Sequence, residues 1–152
     1  YYESYFRPTF YADVNDTAYV LDDDTAELYY FDDYTYTDDG APIYCRSVTD
    51  LVDNGTTNRK FYGRLEIVGD KVGATMKVRH TGNDYQTWSA YRSVDLSQDR
   101  SQMYQCGADR RRAWEFLCTD AVPLRLDAVE IDYEVGGLDP AQGVGGGTRY
   151  RR

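Results

Sequence analysis

The chain has 152 residues, 41% hydrophobic and 15% aromatic with only four prolines, which excludes a disordered low-complexity segment and suits one domain or one domain with an attached fragment. No apolar run approaches the roughly 20 residues of a membrane helix and no signal-peptide pattern opens the chain, so no membrane contact is expected. The formal net charge of −9 is unevenly placed: residues 1–57 carry 13 acidic and 2 basic side chains (net −11), and residues 58–152 carry 13 and 15 (net +2).

That charge break falls beside the loop "DNGTTN" (Asp53 to Asn58). It predicts an acidic, Tyr-rich β region over 1–57, a β-sandwich over 58–136, and a Gly-rich basic tail over 137–152. An acidic first region argues against wrapping nucleic acid with that face, because such binding relies on Lys and Arg neutralising phosphates. The first residue is Tyr1, not Met, so a segment of a longer or processed polypeptide is expected.

In chain order, "AYVLDDDTAELYYF" reads as strand, Asp-rich turn and strand, and "YTYTDDGAPIYCRSVT" adds a turn at Asp38-Asp39-Gly40 followed by a strand. Ten of the 16 tyrosines lie in residues 1–44, a density that suits a sheet edge or a protein interface. In "KFYGRLEIVG" the alternation places Phe61, Gly63, Leu65 and Ile67 on one face, with Tyr62, Arg64 and Glu66 on the other. "GDKVG" then suggests a hairpin into "ATMKVRH", whose inward set is Ala74, Met76 and Val78.

Trp114, Phe116 and Cys118 form the inward set of "RAWEFLCTD", and Trp88 and Trp114 are both placed on core phases. In the last strand Leu124, Leu126 and Ala128 share a face before the phase flips to Val129, Ile131, Tyr133 and Val135, so a β-bulge is expected near Ala128–Val129. Strand signals at roughly 10–15-residue spacing predict an all-β, antiparallel sandwich preceded by a β-hairpin region.

Chemistry-bearing motifs are scarce. Cys45, Cys106 and Cys118 give an odd count without CxxC spacing, which fits free, mostly buried thiols and no zinc site. The pairs Asp22-Asp23-Asp24, Asp32-Asp33 and Asp38-Asp39 invite a calcium reading, but "DDDTAELYYFDD" lacks the central Gly and final Glu of an EF-hand loop. His80, the only histidine, continues the inward phase of its strand and reads as a core residue with no nucleophile beside it. No catalytic residue, metal ligand or cofactor is expected. A carbohydrate-binding module is the alternative, drawing on Trp88, Tyr91 and Trp114.

The stretch "HTGNDYQTWS" (His80 to Ser89) resembles the Asp-box turn of sialidase-type β-propellers, Ser/Thr-x-Asp-x-Gly-x-Thr-Trp. Thr81, Thr87 and Trp88 match, while Asn83 stands where Asp belongs and Tyr85 where Gly belongs. In those enzymes the box is a structural turn, and a sialidase needs converging arginines. Arg110-Arg111-Arg112 is a consecutive run, so its members alternate between faces of a strand and cannot form one clamp.

Together with "YVLDDDTAELYYFD", "YTDDGAPIYCRSVT", "NRKFYGRLEIVGD" and "CGADRRRAWEFLCTDAVPLRLDAVEIDYEVG", this turn resembles the C-terminal region of tail-hub proteins of short-tailed bacteriophages. That group is often labelled packaged-DNA stabilisation or nozzle proteins. The resemblance covers most of residues 15–136. It implies the end of a β-propeller followed by a terminal sandwich, in a non-enzymatic virion component assembled in the host cytoplasm. The implied partners are other copies in a ring, other phage tail proteins and, transiently, packaged DNA. Arg110, Arg111, Arg112, Arg149, Tyr150, Arg151 and Arg152 are then the candidate interface or DNA-facing residues, and a neighbouring copy is expected to hold the tail.

Overall fold

The computed structural model describes residues 8–137 and the backbone of residues 149 and 150. Among these residues every regular element is a β-strand and every pairing is antiparallel, so the chain is all-β. β1 (Pro8–Val14), β2 (Thr17–Asp22) and β3 (Leu28–Tyr30) form a three-stranded meander. Its first turn is two residues long, Asn15-Asp16, both at positive φ (52° and 61°), the backbone that a tight hairpin requires. β4 (Thr37–Asp38) and β5 (Ala41–Pro42) pair around Asp39-Gly40, again both at positive φ.

The remaining strands build two facing sheets. β6 (Cys45–Val48), β8 (Thr75–Thr81), β9 (Arg92–Asp95) and β12 (Ala113–Cys118) form one, in the order β6-β12-β8-β9. β7 (Lys60–Gly69), β10 (Ser101–Tyr104), β13 (Leu126–Val135) and β14 (Arg149–Tyr150) form the other in the order β10-β7-β13-β14, with β11 (Ala108–Asp109) also on β7. The core between them contains Leu65, Ile67, Met76, Val78, Val94, Leu96, Met103, Trp114 and Phe116. The sandwich therefore reaches back past the expected boundary near residue 57, because β6 pairs along β12 from Cys45 to Val48.

Four local expectations are corrected. In β7 it is Tyr62 that is buried and Phe61 that is exposed. The reason is a bulge: Asp132 opposes Arg64 while Tyr133 opposes Tyr62, so Gly63 is an extra residue that resets the phase before Leu65. "GDKVG" is no hairpin, since β7 and β8 lie in opposite sheets. Their apolar faces bury against each other across the sandwich, with Val72 and Ala74 in the crossing packed on the core.

The phase flip of β13 does coincide with a bulge, but at Asp127, between the Leu126–Gly69 and Ala128–Val68 pairs. Leu126 and Ala128 consequently face solvent, while Leu124 before the bulge and Val129, Ile131 and Tyr133 after it pack against the core. Trp88 is half-buried outside the core. Cys106 and Cys118 are buried, but Cys45 is exposed.

The two regions differ sharply in packing. In the meander Phe10, Leu21 and Leu28 are cross-strand neighbours, as are Ala12, Tyr19 and Tyr30, so one face is apolar throughout. Phe10, Leu28 and Tyr30 on that face are each more than 60% exposed. Among the described residues no strand of the meander pairs with a strand of the sandwich.

Candidate functional site

The turn that resembles an Asp-box is organised by Asn83. Its Oδ1 accepts from the Thr81 hydroxyl (2.9 Å) and from the Thr87 backbone N–H (3.0 Å), and its Nδ2 donates to the Thr87 hydroxyl (2.8 Å). The ends are tied at the base, where the Ser89 N–H donates to the His80 carbonyl and the His80 N–H to the Ser89 hydroxyl. An amide thus replaces the carboxylate of the motif without loss of the acceptor. Tyr85, at the Gly position of the motif, has φ 62°, a left-handed backbone that costs a non-glycine residue free energy. Its hydroxyl donates to the Thr49 carbonyl (3.1 Å) and its ring lies 6.0 Å from that of Trp88.

Trp88 faces the outer side of the β6-β12-β8-β9 sheet, where it covers a buried ion network. Arg79 is stacked between Trp88 (4.8 Å) and Tyr91 (4.5 Å) and pairs with Glu115. Glu115 also accepts from Arg46 (2.6 Å) and the Tyr91 hydroxyl (3.1 Å). Burial opposes ionisation of Glu115, but these hydrogen bonds outweigh it and hold its carboxyl below the usual range. The opposite outer face repeats the device. Glu66 accepts from Arg100, Gln102 and Arg64, and the hydrogen bonds from Arg100 and Gln102 lower its pKa to about 2. These two carboxylates sit on opposite faces of the sandwich, each committed to arginines, so they do not form the facing pair of a glycosidase.

The arginine run lies between β11 and β12 and does not follow strand alternation: Arg110 and Arg111 are exposed and Arg112 is buried. Arg111 points out and pairs with Asp84 at 2.9 Å, both exposed. Arg110 is exposed, while its carbonyl accepts from the buried Lys60 ammonium, which also donates to the Thr56 (2.6 Å) and Asn58 (3.1 Å) carbonyls. Arg112 is only 3% exposed. Its guanidinium stacks on Tyr62 (4.1 Å) and Trp114 (4.9 Å), pairs with Asp109 and donates to the Cys106 carbonyl. His80 is half-buried, its ring 5.4 Å from that of Trp114, and burial followed by the charge of Arg112 lowers its pKa.

Beside Arg112 the sandwich is open. β6 is exposed along its whole length and the inward residues of β13 are only half covered. A cavity of about 770 Å³ opens there, lined by Tyr62, Arg112, Trp114, Val129, Ile131 and Tyr133 on the sheets and by Val52 to Thr56 in the loop. This volume falls within the range of binding cavities. Tyr62 is 4% exposed and its hydroxyl has no hydrogen-bond partner. An adjoining hollow is lined by Thr57, Asn58, Arg59, Phe61 and Arg110.

Of the tail, Arg149 and Tyr150 pair through their backbones with Glu134 and Tyr133 of the same chain; their side chains, and all of Arg151 and Arg152, lie outside the described residues. Sequence reasoning missed Glu115, Lys60 and the cavity. Lys60, a cation opening an apolar strand, was the one local signal of a buried charge. Among known proteins, no family model matches the chain and no curated protein matches it.

Proposed function

We propose that the chain is a non-enzymatic structural part of a phage tail, a segment of a hub or nozzle ring that continues the DNA channel and is assembled in the host cytoplasm. The observation that carries this reading is the meander. Its apolar, aromatic face leaves Phe10, Leu28 and Tyr30 largely exposed, and a large exposed apolar patch marks an association surface. The resemblance to tail-hub proteins supplies the kind of assembly, a ring of copies in contact with other tail proteins and with packaged DNA. Electron microscopy of the complete polypeptide containing this chain tests it. Closed rings with a lumen wide enough for duplex DNA are expected; monomers or open fibres overturn it.

One observation favours a second reading, a carbohydrate- or receptor-binding sandwich. Trp88 stands with Tyr85 and Tyr91 on an outer face, and the latter two are exposed. Under this reading neutral oligosaccharides change Trp88 fluorescence saturably, and a flat titration excludes it.

A further inference from the structure

The cavity at the open edge and the most exposed aromatic among the described residues of the acidic region suit each other. Tyr34 is 86% exposed and follows two carboxylates, Asp32 and Asp33. Its turn is already set, because Asp32 accepts from the Tyr34 N–H (3.3 Å) and from the Thr35 hydroxyl (2.5 Å). A side chain presented on such a turn loses little conformational freedom on docking, and Tyr is among the residues that most often anchor interfaces.

The cavity has the complementary features. Tyr62, Trp114 and Tyr133 give it aromatic walls and Val129 and Ile131 an apolar floor, with a volume that accommodates a phenol ring. Beyond the Gly55–Thr56 rim, Arg59 and Arg110 are exposed and have no acidic partner among the described residues. Asp53, the carboxylate on the rim, already accepts from the Gly55 N–H (2.9 Å). Tyr34 does not line the cavity of its own chain.

We propose that this cavity receives Tyr34 of a second copy, with Asp32 and Asp33 of that copy against Arg59 and Arg110. The contact is head-to-tail: plug and socket are different surfaces, so each copy can bind one neighbour at each end and repetition closes a ring when the rotation allows. The proposal rests on the ring reading above and names the surfaces that would make it.

Sedimentation of the full chain across concentration and salt tests it. Wild type is expected to self-associate, more weakly at high salt. Tyr34→Ala, at an exposed position, is expected to weaken association about tenfold or more with circular dichroism unchanged. Asp33→Lys and Arg110→Glu each weaken it, and the two changes in one chain restore it. Association that survives Tyr34→Ala, or charge reversal that brings no recovery, overturns this contact and leaves the ring reading standing. A chain that stays monomeric at every concentration overturns both.

Discussion

The sandwich and the meander both carry aromatic side chains and use them in opposite ways. In the sandwich Trp114 lies edge-on to Tyr62 (6.0 Å, 85°) and Arg112 is packed against both rings, so aromatic area is removed from water within the chain. Its polar outer faces are closed by arginines gathered on Glu66 and Glu115. In the meander the rings of Tyr19 and Tyr30 stand 6.4 Å apart on an open face. A three-stranded sheet with an uncovered apolar side has little to offset the entropy of ordering it. The sandwich owes its order to its own core, and the proposed docking would supply the meander with the cover it lacks.

The hardest test of that contrast is Trp114→Ala. Truncating a buried tryptophan costs about 3–5 kcal/mol, and here it also strips a neighbour from Tyr62, His80 and Arg112. Denaturation followed through the remaining Trp88 is expected to show the sandwich transition shifted by that amount. Tyrosine fluorescence from the first 44 residues, where ten of the 16 tyrosines lie, is expected to keep its wild-type profile. Both signals moving together would show that the two regions fold as one unit.

What the sequence disclosed follows the same division. The inward sets of β8 and β12 were legible because Ala74, Met76, Val78, Trp114, Phe116 and Cys118 alternate without interruption. The phase of β7 was not, because the bulge at Gly63 is a matter of register against β13, some 70 residues away, which local alternation does not carry. Glu115 occupies an outward phase yet is 1% exposed. Only the pairing of β6 and β8 on either side of β12 brings Arg46 and Arg79 over it. Trp88 was misplaced for a related reason: the motif predicts a tryptophan but not which side of the sheet the turn delivers it to. The open edge and its cavity depend on how two sheets diverge, and no single segment records that.

Acid separates the regions by a smaller margin. The pKa of His80 is lowered by burial, so protonation favours the unfolded chain and stability falls as pH drops below about 6.5. Glu66 has the opposite chemistry and the same outcome. Its carboxylate, held at about 2 by Arg100 and Gln102, contributes stability above about 4.5 that is lost as pH falls from there towards 2. The sandwich is therefore expected to weaken in two steps. His80→Gln removes the upper step and Glu66→Gln the lower, each seen in the pH dependence of the denaturation midpoint. A parallel loss in the meander over the same range would erase the distinction.

The smallest effect probes a backbone choice within the sandwich turn. Tyr85 is held at φ 62°, where a side chain costs about 1–2 kcal/mol. Tyr85→Gly relieves that cost. It forfeits the hydrogen bond to the Thr49 carbonyl and the contact with Trp88, together worth about 1–2 kcal/mol, and adds unfolded-state freedom. The opposing effects leave Tyr85→Gly within about 1 kcal/mol of wild type. Tyr85→Ala keeps the strained backbone and loses both contacts, so it is expected to be the less stable variant by about 1 kcal/mol. Equal denaturation midpoints for the two variants would mean that the turn relaxes its backbone at position 85. The Asn83 hydrogen bonds alone would then hold it, as an Asp-box would be held by its aspartate.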